Sequence, residues 1–404
     1  VGVGVGDGTT GGGNGRQLRA SVAKYREQLV PSLEQLAAVK KAFNAQLESG
    51  LHREVPTDGK HMLMLPTFVT RIPNGDECGG VYAIDMGGTN FRVMYAHLGA
   101  EKSEIVQTDS AEVAIPKAVY TGTGLQLFDF LAEKIVAFMR KHPPPSGSTG
   151  PPVLGVCFSF PMQQLSLNSG ILLDWTKGFT CDGVVGKDPV ALLQAALARA
   201  GKTVRCSALL NDTVGVLAAQ RYLEPSTSVG VILGTGTNAC YVEKADRLTK
   251  WAPSLPLPAG AETAVNIEWG AFDCEALPRC AEDQDVDEAT VHKGKYMFEK
   301  LLSGMFLGEV PRRILLSMAS DPTVLLFGGC DKSTAAGSAA AGADPVVALK
   351  QPNVFGTPDV AACASDRTLR LMHVWDVLRR TLGVEASYAE RRAVRDVCLI
   401  VSQR

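Results

Sequence analysis

Apolar positions recur every three or four residues near the start of the chain: Leu18, Val22, Tyr25 and Leu29, then Leu33, Leu36, Val39, Phe43 and Leu47. That spacing keeps them on one helix face, so residues 16–50 predict two helices, parted at Pro31, which cannot occupy a helix interior. They are expected to brace the rest of the fold. Farther on the period changes. Residues 82–93 (YAIDMGGTNFRV) and 230–241 (GVILGTGTNACY) each read as an apolar strand, a Gly/Thr turn and a return strand. The two align without gaps, Gly88-Thr89-Asn90 falling on Gly236-Thr237-Asn238. Two hairpins can resemble each other by chance. Read as a duplication, they predict two related α/β lobes, each with a glycine turn whose N–H groups can approach phosphate closely. Residues 209–222 pass from a strand into a helix, and residues 295–302 are helical in pattern. Pro/Gly/Ser-rich residues 142–152 and 331–345 read as loops, the second as an insertion.

Composition narrows the class. A chain of 404 residues, 46% hydrophobic and 20% charged, is globular and long enough for two or more lobes with a cleft between them. Its net charge of -2 argues against nucleic acid as a partner. The ten cysteines form no Cys-x-x-Cys pair and most lie in apolar runs, so they read as core residues of a reducing compartment. The six histidines form no His-x-x-x-His pair, which leaves a histidine metal site without support. No apolar run reaches the roughly 20 residues a membrane-spanning helix needs, and no signal-peptide order opens the chain. The cytoplasm is the expected location, with mitochondrial or plastid association open. Both ends read as incomplete: Val1 is not an initiator methionine, and Arg404 lies in the helical pattern of Val394, Val397, Cys398, Ile400 and Val401. Residues 1–15 are glycine-rich low complexity with no strand before them, and carry no dinucleotide-binding signal.

The polar residues supply chemistry. Asp85 ends a buried strand before Met86-Gly87-Gly88-Thr89-Asn90, with Arg92 on the return strand. Such a carboxylate can hold Mg²⁺ through water while loop and arginine neutralise phosphates, although an ordinary Asp-containing hairpin turn looks the same. Asp212, in Leu209-Leu210-Asn211-Asp212-Thr213, falls at or near a helix N-terminus, where its charge is favoured. A plain helix cap is the competing reading. Around these stand Phe158-Ser159-Phe160-Pro161, Trp175-Thr176-Lys177-Gly178-Phe179, Asn238, Ile267-Glu268-Trp269-Gly270 and Phe298-Glu299-Lys300. That mixture of hydroxyls, amides, carboxylates and an ammonium suits a sugar, whose ring hydroxyls each donate and accept. Glu299 could equally be an exposed helix residue, and Trp269 and Phe179 read as packing residues.

Taken together, IDMGGTNFRV, FSFP, DWTKGF, VVGKDPV, LNDTVG, GTGTNACYVE, NIEWGAF and FEKLLSGMFLGE resemble hexokinases, the plant and algal ones most nearly. The likeness runs in order over residues 20–330, with a weaker tail over 354–404. It implies an α/β fold of two actin-like, ribonuclease-H-like lobes around a central cleft. Residues 1–80 would form a tail and bracing helices, 81–211 the small lobe and 212–404 the large lobe. It also implies ATP-dependent phosphorylation of a hexose, glucose to glucose 6-phosphate, the first step of glycolysis. Carried over by position, Ser159, Phe160, Thr176, Lys177, Asn211, Asp212, Asn238, Glu268 and Glu299 would bind sugar, with Asp212 the general base. Asp85, Gly87, Gly88, Thr89, Asn90 and Arg92, with Gly234, Thr235, Gly236 and Thr237, would hold the phosphates, and Asp85 the Mg²⁺. The implied partners are a hexose and Mg-ATP, in a monomer, without nucleic acid. Departures are Asp174 and Gln163 at positions where the family differs, Pro311 where a helix should kink or end, and residues 327–345 in place of a nucleotide-binding region. The chain also stops before the family's glycine-rich adenosine-binding region, which leaves a sugar-binding or sensor protein with little kinase activity as the alternative. An actin-like ATPase without a sugar would explain the glycine turns but not Trp175-Thr176-Lys177 or Ile267-Glu268-Trp269.

Overall fold

The computed structural model describes residues 11–55, 58–88, 90–144, 150–160, 162–175, 178–250, 258–324, 326–328 and 344–404. Its strands are β1 (Leu65–Pro66), β2 (Gly79–Met86), β3 (Asn90–Leu98), β4 (Ile105–Ala114), β5 (Val153–Phe158), β6 (Met162–Ser166), β7 (Ser169–Leu172), β8 (Arg205–Leu210), β9 (Val229–Leu233), β10 (Thr237–Lys244) and β11 (Glu262–Asn266). The helices are α1 (Gly11–Leu29), α2 (Leu33–His52), α3 (Lys117–Tyr120), α4 (Gly124–Lys141), α5 (Pro189–Arg199), α6 (Asp212–Leu223), α7 (Ala281–Glu288), α8 (Met297–Leu302), α9 (Glu309–Ser320), α10 (Pro345–Lys350), α11 (Thr357–Ala364), α12 (Met372–Leu382) and α13 (Tyr388–Gln403).

Alternation builds the first sheet. Tyr82, Ile84 and Met86 of β2 and Phe91, Val93 and Tyr95 of β3 point to one buried face, where they meet Leu131 and Ile135 of α4. The strand order is β4-β3-β2-β5-β8. β2 is antiparallel to β3 but parallel to β5, and β5 is parallel to β8. The second sheet, β1-β11-β10-β9, is antiparallel throughout. The duplicated hairpins are β2-β3 and β9-β10, one in each sheet, and α6 crosses from the end of β8 to pack on β9 and β10. A third layer joins α1, α9, α11 and α12 to α13 around Leu18, Ile314, Leu378 and Val397.

The helix break at Pro31 is confirmed. Ser32 caps α2, its Oγ accepting from Gln35 N at 3.1 Å while Gln35 Oε1 accepts from Ser32 N at 3.1 Å. Several expectations change. Helix α1 begins at Gly11, inside the glycine-rich stretch. Pro311 neither kinks nor ends a helix: it sits in the first turn of α9, where no intrahelical N–H bond is lost. Pro345 opens α10 behind the cap Asp344, so the loop expected over 331–345 ends earlier, and its residues 331–343 lie outside the described ones. Cys78 is exposed, against the reading of the cysteines as core, whereas Cys181, Cys206, Cys240, Cys280, Cys363 and Cys398 are buried. Among the described residues no helix is long and apolar enough to cross a membrane.

Candidate active site

Three parallel strands converge on the site. Asp85 lies opposite Cys157 in the β2-β5 pair, and Cys157 opposite Leu210 in the β5-β8 pair. The carboxyl ends of β2, β5 and β8 therefore share one edge of the sheet, the usual place for a ligand in an α/β fold. Asp212 follows β8, so it and Asp85 flank the end of β5. Burial, with Asp85 and Asp212 both nearby, pushes the Cys157 thiol far up and keeps it neutral between them.

At the start of α6 the cap is Asn211, whose Oδ1 accepts from Thr213 N at 3.0 Å and from Thr213 Oγ1 at 2.7 Å. Asp212 is the first helical residue, its Oδ1 accepting from Thr213 N at 2.9 Å. The helix therefore has its cap without Asp212, whose charge the N-terminal dipole favours.

From the second sheet, Asn238 Nδ2 reaches Asn266 Oδ1 at 2.8 Å, Glu268 Oε1 at 3.2 Å and Asn211 Oδ1 at 3.3 Å. Asn266 Nδ2 donates to Glu268 Oε1 at 2.7 Å. Glu268 itself holds a left-handed backbone, φ 57° and ψ 48°. Glu299 faces inward from α8, its Oε2 accepting from Thr237 N at 3.1 Å. Phe160, Met162, Gln164 and Asn211 from the first sheet's side and Asn266 and Glu268 from the second line one pocket between them.

The two glycine turns join β2 to β3 and β9 to β10. Arg92 Nη1 lies 3.6 Å from Asp85 Oδ2, while Glu112 accepts from Arg92 Nε at 3.0 Å and from Asn90 Nδ2 at 2.7 Å. Ser159 N donates to Met86 O at 3.0 Å, which sets Ser159 beside Gly87. In the second turn Gly234 O and Thr235 O accept from Gly304 N at 2.8 Å and Met305 N at 3.0 Å. A Cβ on Gly236 would stand 2.7 Å from Glu299 Oε2.

A family model described as Hexokinase matches residues 21–222, and a second, also described as Hexokinase, matches residues 228–404. The chain belongs to the hexokinase family. Hexokinase-2 of Solanum tuberosum is 38% identical over 394 residues, covering 96% of this hexokinase and 75% of that protein. Hexokinase-1 of Spinacia oleracea is 39% identical over 378 residues, 92% and 71% of the two chains. Among solved structures, the hexokinase from Schistosoma mansoni complexed with glucose superposes with a TM-score of 0.78 at 31% identity, covering 96% of this chain and 82% of that one. A second hexokinase crystal structure gives 0.75 at 29% identity, with the same coverages. The protein is a sugar-phosphorylating enzyme with the two-lobed actin-like fold, and its family implies ATP as co-substrate.

Of the residues read from the sequence of this hexokinase, Asn211, Glu268 and Phe160 line the pocket, Asn238 is hydrogen-bonded to the first two, Asp212 follows Asn211 in the chain, and Glu299 reaches Thr237 next to Asn238. Thr89, Thr176 and Lys177 lie outside the described residues. Three expectations shift. Lys300, grouped with the sugar-facing residues, is buried in an ion pair with Asp287 and donates to His292 O at 2.6 Å. Thr237, read as a phosphate contact, is turned inward, its hydroxyl donating to Ile232 O and accepting from Trp269 Nε1, both at 3.0 Å. Asn90 and Arg92 are held by Glu112, which the sequence reading missed. Asn266 was missed as well, although its place two residues before Glu268 was a signal to test. Tyr296 is the third such residue: burial raises its hydroxyl pKa, and Glu268, Asp174 and Glu299 add to the effect.

The crowding at Gly236 yields a first prediction. Gly236→Ala should displace Glu299 and weaken sugar affinity about tenfold, the loss of one hydrogen bond to a charged group, while the Thr237 N–H left behind lowers the melting temperature by about 1–4 °C. Calorimetric titration and thermal melts check both.

Proposed function

We propose that this hexokinase transfers the terminal phosphate of ATP to glucose, giving glucose 6-phosphate at the first step of glycolysis, with Asp212 as general base. The observation that carries the reading is the hydrogen-bonded set Asn211, Asn238, Asn266 and Glu268 beside Asp212 at the head of α6. Amides and carboxylates that converge on one pocket from both sheets suit a polyhydroxylated ring. The glucose in the Schistosoma mansoni hexokinase supports the choice of sugar.

In the proposed reaction Asn211, Asn238, Glu268 and Glu299 hold the ring, and Asp212 accepts the proton of the hydroxyl that attacks the terminal phosphorus. The bond to the leaving phosphate oxygen of ADP breaks as the new ester bond forms. In this reading the backbone N–H groups at Gly87-Gly88 and Thr235-Gly236, with Arg92, face the phosphate charge, while the Gly234 N–H is taken up by Gly236 O at 2.9 Å. Asp85 fits Mg²⁺: it is an oxygen donor at a strand end beside an anion-binding turn, and this ion commonly takes one or two carboxylates plus substrate phosphates. When bound, the ion neutralises phosphate charge. The carboxylate of Asp85 and the guanidinium of Arg92, 3.6 Å apart, set where that charge lies.

The test combines a coupled assay for glucose 6-phosphate with titration of glucose and of Mg-ATP. Both ligands should bind and turnover should follow. Glucose binding without nucleotide binding or turnover would reduce the protein to a sugar-binding one. Glu268→Ala is expected to weaken glucose binding about 10- to 100-fold, since it removes an acceptor present in both ground and transition states. A drop in kcat with unchanged glucose affinity would assign Glu268 a different part.

A further inference from the structure

Asn266 braces two residues of the site, Asn238 and Glu268, and is only 6% exposed. Its Nδ2 donates to Glu268 Oε1 at 2.7 Å and its Oδ1 accepts from Asn238 Nδ2 at 2.8 Å. Only one orientation of its carboxamide serves both bonds, because a flip would set oxygen against carboxylate and amine against amine. Its partner Glu268 sits in a left-handed backbone, which a non-glycine residue keeps only when its surroundings impose it. Beyond Asn238 the chain of bonds continues to Asn211 and to the Thr213 N–H at the head of α6. On the other side, β11 holds Asn266 in register between Leu65 of β1 and Cys240 of β10, so its backbone has little freedom.

We propose that Asn266 is a positioning residue for the reaction: it orients the Glu268 carboxylate toward the sugar and ties it, through Asn238, to the helix terminus that carries Asp212. It acts through Glu268 and touches no reacting atom. This inference rests on the sugar-site reading given above.

Asn266→Asp keeps the shape but sets a second carboxylate oxygen against Glu268 Oε1. Glucose affinity should fall about 10- to 100-fold, as for the loss of a hydrogen bond to a charged group, while KM for ATP stays within about twofold. Asn266→Ala adds no charge, should fold where the Asp variant does not, and should weaken glucose by about tenfold. The decisive readout is a double-mutant cycle read by calorimetric glucose affinity. In a Glu268→Gln background the Asn266→Asp change should have little further effect, because the amide that replaces the Glu268 carboxylate can donate to the carboxylate that replaces the Asn266 amide. A structural role would move the melting temperature without this coupling. Unchanged glucose affinity in Asn266→Ala, or losses that simply add in the cycle, would overturn the proposal. The cycle reads binding, so a wild-type protein that binds glucose without turnover would sink the kinase reading and leave this one decided on affinity.

Discussion

Asp212→Asn is expected to lower kcat about 10²- to 10⁴-fold, the usual contribution of a positioned general base, while glucose affinity stays within about threefold. Asparagine keeps the oxygen that accepts from Thr213 N, and the cap on α6 belongs to Asn211, so the helix start should persist. What disappears is the ability to take the sugar's proton. The loss should therefore fall on turnover, with Kd for glucose nearly constant. Steady-state kinetics beside calorimetric titration checks it. Near-normal turnover would remove Asp212 from the role, and a large fall in affinity would make it a ground-state sugar ligand instead.

Lys300→Met should lower stability by about 3 kcal/mol, the scale for breaking a buried ion pair from one side. That corresponds to a melting temperature lower by about 3–4 °C for a chain of 404 residues, whose unfolding entropy is roughly 0.85 kcal/mol/K. Lys300 is 5% exposed and Asp287 11%, so methionine fills the space but strands the carboxylate. Burial alone pushes Asp287 up, yet hydrogen bonds from Lys300 and Gly294 N–H and the lysine charge outweigh it and hold the carboxyl below its usual range. A depressed carboxyl contributes stability above its unfolded pKa of about 4, and that contribution is lost as pH falls through the folded value. In the variant the carboxyl keeps the Gly294 N–H but loses the lysine, so it should titrate higher than in the unaltered protein. The gap in melting temperature between the two proteins should thus hold from pH 7 to about 5 and narrow as pH falls through and below about 4. A gap that stays open in that lower window would count against the ion-pair account.

Local signals were the ones the sequence expressed well. The hairpins over 82–93 and 230–241 are specified by neighbours: alternation buries one face, and a glycine turn reverses the chain. The break between α1 and α2 was visible because Pro31 acts locally; the Ser32 cap that completes it came from the structure. The approach to Asp212 was legible as a strand running into a helix. Which residue caps that helix was not, since Asn211 and Asp212 are both good caps and the backbone at Asn211, φ −71° and ψ 154°, chooses between them. Pro311 was misjudged for a related reason. Its effect depends on where α9 begins, and that is set by the packing of the α8–α9 connection against the Gly234 turn.

The residue types of a sugar kinase, the two glycine turns and the order of strands and helices along the chain were already determined by the sequence, because each depends on chemistry within about a dozen residues. Tertiary structure alone decided that Glu299 meets Thr237, that Glu112 holds Arg92 and Asn90, that Lys300 turns away to Asp287, and that Asn266 links Glu268 to Asn238. Except for Asn266 with its near neighbour Glu268, those contacts join residues on different elements. Side-chain spacing along one element cannot say which face of another it will meet, since that is settled by strand pairing and by the packing of both faces at once.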